Sequence, residues 1–288
     1  MKRRFQQVDV FGARPLFGNP LAVVLDGEGL SADEMQHFAR WTNLSETVFL
    51  LPPTTLEADY RVRIFTLARE LPFAGHPTLG SCHAWLTSGG RPERADVVVQ
   101  ECGAGLVPIR RTGDRLAFAA PPLIRSGPVD PVRLQRIVEI LHLDTNAILD
   151  AQWADNGPGW IAVLLRDAEA VLNVDADLSP DPGKESVDIG LVGPYPEDSD
   201  LAFEVRAFFT DERGLLREDP VTGSLNASLA QWLLTSGRAR SPYVASQGSR
   251  LERDGRIEID RDGEGTIWVG GATTTCVEGE VELRTNPR

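Results

Sequence analysis

The sequence predicts an α+β protein with two similar domains whose sheets are antiparallel or mixed. The chain has 288 residues, and domains of roughly 100–200 residues make two the expected number. Most of its strand-like segments are joined by tight turns rather than by crossover helices, which excludes a doubly wound parallel sheet. In addition, an internal repeat places strand, loop and apolar helix in the same order twice, about half the chain apart.

The first half contains an amphipathic and an apolar helix among its strands. Ser31 is the predicted N-cap of the first helix, which is expected to end near Asn43. The second helix is predicted over Pro77–Ser88, with proline in its first turn and two glycines after its end. Alternating apolar residues predict strands at Val8–Phe11, Leu21–Leu25, Thr47–Leu51, Tyr60–Thr66, Ala95–Cys102, Gly105–Arg110 and Arg115–Ala119.

The second half follows a proline-rich stretch, Pro121–Pro128, which is the predicted linker. Helices are predicted over Pro131–Leu143 and over Thr222–Ser236, the second of them apolar along its whole length. The predicted strands of this half are Ile148–Trp153, Trp160–Leu165, Ser186–Val192, Ala202–Phe209, Tyr243–Ser246, Arg256–Asp260, Thr266–Val269 and Glu280–Leu283.

The internal repeat aligns residues 62–65 (VRIF) with residues 205–208 (VRAF), an offset of 205 − 62 = 143. At the same offset, without a gap, residues 76–81 (HPTLGS) align with residues 219–224 (DPVTGS). This alignment places Asp219 opposite His76. Each block leads into an apolar helix that ends in Thr-Ser-Gly. We therefore predict two related halves, one per domain.

The repeated loops have a chemical consequence, because each precedes a helix N-terminus. The first amides of a helix have no partner within the helix, and they carry a partial positive charge that attracts anions. Two such ends facing one cleft are expected to bind the carboxylate of a small acid. The alternative is purely structural. In that case Ser81, Thr222 and Ser224 only cap the helices, and Pro77 and Pro220 only begin them.

Three polar residues are candidates for the chemistry. Glu46 stands at the head of an apolar strand, where partial desolvation is expected to raise its pKa into the range useful for proton transfer. His76 opens the first helix loop, and a histidine there tends to stay neutral and able to exchange a proton. Asp219 belongs to the second loop. The alternatives are an exposed strand-edge glutamate, a loop imidazole bonded to backbone and a simple helix cap.

The composition excludes several classes of function. The chain has 42 acidic and 29 basic side chains, a formal charge of −13, which argues against nucleic-acid binding and against a polybasic membrane anchor. No segment approaches the ~20 apolar residues of a membrane span, and no signal sequence is recognisable, so we expect a cytoplasmic protein. Its four histidines lack the i, i+4 spacing of a metal site, and we expect no metal and no cofactor.

The cysteines bear on one alternative mechanism. Two-base racemases and epimerases place a thiol on each side of the substrate carbon. Here both helix loops lack cysteine, since Cys82 falls inside the first helix, Cys102 ends a strand and Cys276 lies near the C-terminus. Thiol catalysis is therefore disfavoured.

Several motifs together resemble the phenazine-biosynthesis PhzF-like family. They are residues 8–11 (VDVF) with 18–24 (GNPLAVV), 45–49 (SETVF), 64–66 (IFT) with 70–80 (ELPFAGHPTLG), 219–224 (DPVTGS), 246–248 (SQG) and 268–271 (WVGG). The segment made of residues 64–66 and 70–80 is the most specific of them, and the likeness spans nearly the whole chain. The resemblance implies a diaminopimelate epimerase-like fold: two similar domains, each a curved sheet around a central helix, with the active site between them. It also implies that the last strand returns to the first domain, giving domains 1–120 with 272–288, and 121–271.

The resemblance also implies roles for individual residues. Glu46 matches the family's proton-shuttling acid/base, and His76 and Asp219 match polar residues that assist at the substrate. Ser224 matches a substrate-contacting serine, while Gly75 and Gly223 match positions that let the substrate approach the helix ends. The family activity so implied is isomerisation of trans-2,3-dihydro-3-hydroxyanthranilate without a cofactor, by a homodimer.

One departure from the family pattern concerns the substrate. Where the phenazine enzymes typically carry Ala-His-Gly or a similar sequence after Thr-Gly-Ser, this chain has Leu225-Asn226-Ala227. Our hypothesis from the sequence is a cofactor-independent isomerase of a small carboxylate-bearing substrate. The alternatives are an amino-acid racemase or epimerase, and a non-catalytic protein that binds small acids.

Overall fold

The computed structural model describes residues 1–179, 186–211 and 214–283. Sheets dominate it, and the α+β class predicted from the sequence is confirmed. The chain divides into two compact units, one formed by residues 1–119 and 270–288 and the other by residues 120–269. In the described part of the chain, no helix is both long and apolar enough to cross a membrane.

The first unit contains nine strands and two helices in the part that the structure describes. They are β1 (Lys2–Val10), β2 (Asn19–Val24), α1 (Ala32–Thr42), β3 (Thr47–Leu51), β4 (Tyr60–Phe65), β5 (Glu70–Leu71), α2 (Gly75–Thr87), β6 (Val97–Cys102), β7 (Gly105–Thr112), β8 (Arg115–Ala119) and β18 (Thr273–Glu282). The strand order is β18-β1-β2-β3-β4-β6-β7-β8, with β5 paired to β4. Of these described pairs, β2–β3 and β4–β6 are parallel.

Helix α2 lies inside this curved sheet, because it contacts strands from β18 at one end of the order to β8 at the other. Its sequence explains the position. The helix carries no charged residue from Gly75 to Thr87, so it has no face that must remain in water. Helix α1 is amphipathic instead, and it buries Met35, Phe38 and Ala39 in a cluster with Phe49 of β3.

The second unit repeats this pairing scheme. It contains β9 (Arg125–Pro128), α3 (Pro131–Leu141), β10 (Ile148–Asp155), β11 (Trp160–Leu165), α4 (Ala168–Leu172), β12 (Asp188–Pro194), β13 (Phe203–Thr210), β14 (Leu216–Asp219), α5 (Gly223–Thr235), β15 (Tyr243–Gln247) and β16 (Gly255–Arg261). Strand β17 (Ile267–Gly271) crosses the boundary between the units along the chain. The order is β9-β10-β11-β12-β13-β15-β16 with β14 on β13, and of these described pairs β11–β12 and β13–β15 are parallel.

The two units confirm a repeat, but the predicted ungapped offset is wrong after the first strand. Phe65 pairs with Glu70 in the first unit, and Phe208 pairs with Glu218 in the second. The offset is therefore 208 − 65 = 143 in one strand of the hairpin and 218 − 70 = 148 in the other. The second hairpin is therefore five residues longer between these equivalent pairs, and both helices start and end at offset 148 (223 − 75 and 235 − 87).

This correction changes which loop residues correspond. The structural counterpart of His76 is Ser224, the second residue of its helix, and the counterpart of Asp219 is Leu71 in β5. The predicted equivalence of His76 and Asp219 is therefore wrong. Ser81 is not a helix cap either, because it lies within α2 and hydrogen-bonds Gln100.

The same correspondence reveals a duplicated ion pair. Arg63 and Glu70 join β4 to β5, and their counterparts Arg206 and Glu218 join β13 to β14 at the same two offsets, 143 and 148. Each pair clamps the hairpin that leads into a central helix. The predicted linker also proves partly ordered, since Arg125–Pro128 forms β9 and pairs with β10.

Candidate active site

Glu46 and His76 meet within the first unit. Glu46 directly precedes β3, and His76 is the second residue of α2, so the sheet and its central helix bring together residues 30 positions apart. The distance from Glu46 Oε2 to His76 Nε2 is 3.5 Å, and the side chains are 16% and 6% exposed. The predicted alternative of an exposed strand-edge glutamate is therefore wrong.

Burial determines the charge of His76. Desolvation lowers the pKa of its imidazole from 6.5 to about 3, so the ring is neutral at pH 7. The contact with Glu46 is then between a carboxyl group and a neutral imidazole rather than an ion pair. A neutral ring has one nitrogen that donates and one that accepts, which suits it to orient a neighbouring carboxyl group.

This pKa predicts how stability depends on pH. Below pH 6.5 the unfolded chain protonates His76 and the folded chain does not, so the free energy of unfolding falls as the pH drops toward 3. Between pH 7 and pH 5 the wild type is expected to lose about 2 kcal/mol more than His76→Asn. Urea denaturation at both pH values measures this, and His37→Asn, at an exposed position of α1, is expected to keep the wild-type loss. Equal losses in wild type and His76→Asn would contradict the neutral buried ring.

The N-termini of α2 and α5 differ from those of the other described α-helices. Helices α1, α3 and α4 begin with side-chain caps from Ser31, Asp130 and Asp167. At α2 and α5 the N-cap residues are Ala74 and Thr222, and neither side chain bonds the first helical amides. Those amides therefore keep their capacity to bind an anion, in the two helices for which the repeat predicted it.

The second unit gathers the other predicted residues around the start of α5. Gly223 and Ser224 are the first two residues of the helix, and Asp219 ends the strand before it. Trp160 Nε1 donates a hydrogen bond of 3.0 Å to Ser224 Oγ, and Asn156 Nδ2 donates one of 2.9 Å to the Ser224 carbonyl. Because the indole fills one acceptor position of the hydroxyl, it orients Ser224.

The sequence did not single out Trp160 and Asn156 as site residues. Trp160 opens a predicted strand and Asn156 belongs to the turn before it, and neither position carries a signal that points 64 or 68 residues ahead to Ser224. Glu46, Gly75 and His76 thus form one group in the first unit, and Asp219, Gly223 and Ser224 form another in the second. That the two groups act on one substrate stays a prediction.

The cysteines lie elsewhere. Cys82 is buried in the middle of α2, and burial raises the pKa of its thiol, so it remains protonated at neutral pH. Cys102 ends β6 and its pKa is likewise raised by burial, while Cys276 belongs to β18. None of the three belongs to the first turn of α2 or α5.

Comparison with known proteins confirms the resemblance seen in the sequence. A family model described as "Phenazine biosynthesis-like protein" matches residues 8–279. Antisense-enhancing sequence 1 of Schizosaccharomyces pombe is 32% identical over 96% of this chain and 97% of that protein. Trans-2,3-dihydro-3-hydroxyanthranilate isomerase of Pseudomonas aeruginosa is 51% identical over 28% of this chain and 29% of that enzyme. Further relatives, 27–31% identical, are named as uncharacterized isomerases.

Solved structures agree on the fold. A PhzF-family phenazine biosynthesis protein of Bacillus anthracis matches with a TM-score of 0.79 at 23% identity, covering 98% of this chain and all of that one. A hydroxyproline epimerase of Agrobacterium vitis, at 14% identity and a TM-score of 0.59, covers 99% of this chain and 94% of its own. At these identities the likeness shows the fold alone. The family model and the curated relatives together show that the chain belongs to the phenazine biosynthesis-like (PhzF) family and that it is an isomerase.

Proposed function

We propose that this isomerase moves a proton between two carbon atoms of a small carboxylate-bearing substrate, with Glu46 as acid and base and without a cofactor. Trans-2,3-dihydro-3-hydroxyanthranilate, named for the relative from Pseudomonas aeruginosa, is the first candidate substrate. The observation that carries the proposal is the buried contact of 3.5 Å between Glu46 Oε2 and His76 Nε2.

The reaction needs only one carboxyl group that changes protonation twice. The Glu46 carboxylate takes the proton of a C–H bond, and the electron pair of that bond spreads through the conjugated ring. The carboxylic acid then returns the proton to a different ring carbon, so the substrate gains and loses no atom. A carboxylate in a mostly water-excluded site keeps the proton from solvent during the transfer, and general acid–base catalysis of this kind contributes about 10²–10⁴ in rate.

The other residues bind and orient the substrate in this proposal. The amides at the starts of α2 and α5, with Gly75 and Gly223 as their first residues, hold the substrate carboxylate. Ser224 donates a hydrogen bond from its hydroxyl group to the substrate, since Trp160 already donates one to its oxygen. His76 orients Glu46, and Asp219 orients the substrate by accepting a hydrogen bond from it.

The experiment uses deuterated water. Wild-type protein is incubated with trans-2,3-dihydro-3-hydroxyanthranilate, and with proline-type amino acids and simple carboxylates, and carbon-bound deuterium is followed by NMR. Isomerisation of the dihydro acid, with or without deuterium in the product, is the expected result. Exchange only at the Cα of an amino acid would instead indicate a racemase or epimerase.

A binding assay separates the remaining alternative. Thermal-shift measurements with the same carboxylates show whether the protein binds them at all. Stabilisation by a carboxylate without turnover or exchange of any compound would overturn the proposal in favour of a protein that only binds small acids.

A further inference from the structure

The loop that enters α5 is held by one buried amide side chain. Gln247, the last residue of β15, is fully buried, and its side-chain oxygen and nitrogen each make two hydrogen bonds to the loop or to the first turn of α5. Its Oε1 accepts from the backbone N–H of Thr222 at 3.0 Å and from Asn226 Nδ2 at 2.8 Å. Its Nε2 donates to Thr222 Oγ1 at 2.9 Å and to the Asp219 carbonyl at 3.1 Å.

The direction of each bond follows from the chemistry of these groups. A backbone N–H can only donate, so the Gln247 atom that faces Thr222 N must be the oxygen, and its amide nitrogen must face the Thr222 hydroxyl. That hydroxyl accepts from Gln247 and has a single proton left to give. With that proton it donates a hydrogen bond of 2.5 Å to Asp219 Oδ2. A chain of donors thus runs from Gln247 through Thr222 to the Asp219 carboxylate.

The first unit shows that a central helix can form without this series of hydrogen bonds. At the start of α2, Thr78 Oγ1 donates to the Ala74 carbonyl, as Asn226 Nδ2 donates to the Thr222 carbonyl at the start of α5. The N-cap of α2 is alanine, without a hydroxyl, and the counterpart of Asp219 is Leu71, without a carboxylate. The hydroxyl and the carboxylate therefore occur together in the second unit and are both missing at the matching positions of the first.

We propose that Thr222, itself oriented by Gln247, is a positioning residue that holds the Asp219 carboxylate in its working orientation. This inference rests on the proposed function, in which Asp219 orients the substrate. A hydrogen bond to a charged group fixes the carboxylate more firmly than one between neutral groups, and misplaced catalytic groups lose much of their effect. Thr222 acts on the reaction only through Asp219.

The test compares two substitutions at one position with a matched control. Thr222→Val keeps the shape of the side chain and removes the hydroxyl, and it is expected to lower kcat by about 10–100-fold with KM within about threefold. Thr222→Ser keeps the hydroxyl and is expected to stay within about threefold of wild-type kcat. Thr210→Val, in β13 of the same unit, removes a hydroxyl that makes two bonds to Val187 and is expected to leave kcat unchanged.

Two kinetic outcomes would overturn the inference. One is wild-type kcat in Thr222→Val. The other is an equal loss in Thr222→Ser and Thr222→Val, because the effect would then follow the shape of the side chain rather than its hydroxyl.

A readout that needs no substrate keeps this inference separate from the proposed function. Crystal structures of wild type, Thr222→Val and Thr222→Ser are expected to place the Asp219 carboxylate in a new orientation in the valine variant only. If wild-type protein turns over no candidate substrate, the proposed function fails, and the carboxylate orientation still decides the inference. An Asp219 carboxylate in its wild-type place in Thr222→Val would overturn it.

Discussion

Replacing Glu46 with glutamine is expected to lower kcat by about a thousandfold, the largest effect that a single substitution should have on this protein's activity. Glutamine has nearly the same shape and can still contact His76, which lies 3.5 Å from the carboxylate. It cannot take a proton from carbon, because a neutral amide is far too weak a base. Since Glu46 is proposed to act in the transition state rather than in binding, KM is expected to stay within about threefold.

The measurement is the rate of substrate isomerisation in deuterated water, read by NMR for wild type and Glu46→Gln. Glu93→Gln, which removes the same charge from an exposed position in the same unit, is the matched control and should retain wild-type kcat. Wild-type rates in Glu46→Gln would remove this residue from the mechanism. A large loss in Glu93→Gln would mean that the charge of the unit, rather than the Glu46 carboxylate, governs the rate.

Local signals in the sequence predicted most of the secondary structure. Ser31 caps α1 as expected, with its hydroxyl accepting from the Glu34 amide, because such caps depend on residues three positions apart. Strand β3 matches its predicted bounds, since its apolar run is bounded by polar residues and proline. The uncharged sequence of α2 likewise indicated a helix without a solvent-facing side.

The five-residue difference between the two hairpins was beyond these local signals. Residues 77–81 (PTLGS) happen to resemble residues 220–224 (PVTGS), and this likeness favoured an offset of 143 through the loop. Aligning residues 70–76 (ELPFAGH) with residues 218–224 (EDPVTGS), and the two Thr-Ser-Gly ends with each other, gives instead the offset of 148 found in the structure. Strand pairing decides between them, because register in a hairpin follows from its turn and loop length.

The contacts of the candidate site show a second limit. The sequence marked Glu46 and His76 separately, but their distance depends on the parallel pairing of β2 with β3 and on the place of α2 inside the sheet. The bond from Trp160 to Ser224 has the same origin, since it joins β11 to the start of α5. Such contacts are made by topology, so residue type and spacing alone cannot predict them.

The duplicated ion pair leads to the largest expected effect on stability. Arg206 and Glu218 are 5% and 8% exposed, and the Arg206 guanidinium donates to both carboxylate oxygens at 2.9 Å. It also donates to the carbonyls of Val171 and Val174, at 3.2 and 2.6 Å. Arg206→Met keeps much of the side-chain volume but leaves the Glu218 charge buried without its cation, so the free energy of unfolding is expected to fall by about 3–5 kcal/mol.

The first unit contains the matched control. Arg63 and Glu70 form the same two-bond pair between β4 and β5, but their side chains are 26% and 41% exposed. Water solvates the carboxylate when the arginine is lost, so Arg63→Met is expected to cost about 1 kcal/mol or less. Urea denaturation of both variants measures the difference, and equal costs would contradict the role assigned to burial.

A double variant identifies the source of the larger cost. If Arg206→Met is unstable because it leaves the buried Glu218 carboxylate without a cation, adding Glu218→Met removes that charge. The double variant should then be more stable than Arg206→Met alone. If the cost came only from losing the attraction within the pair, the second substitution would restore nothing. Full recovery is not expected, because the carbonyls of Val171 and Val174 still lack their donor. The two units would then contain the same ion pair at an exposed and at a buried position, and removing its arginine would lower the free energy of unfolding far more at the buried one.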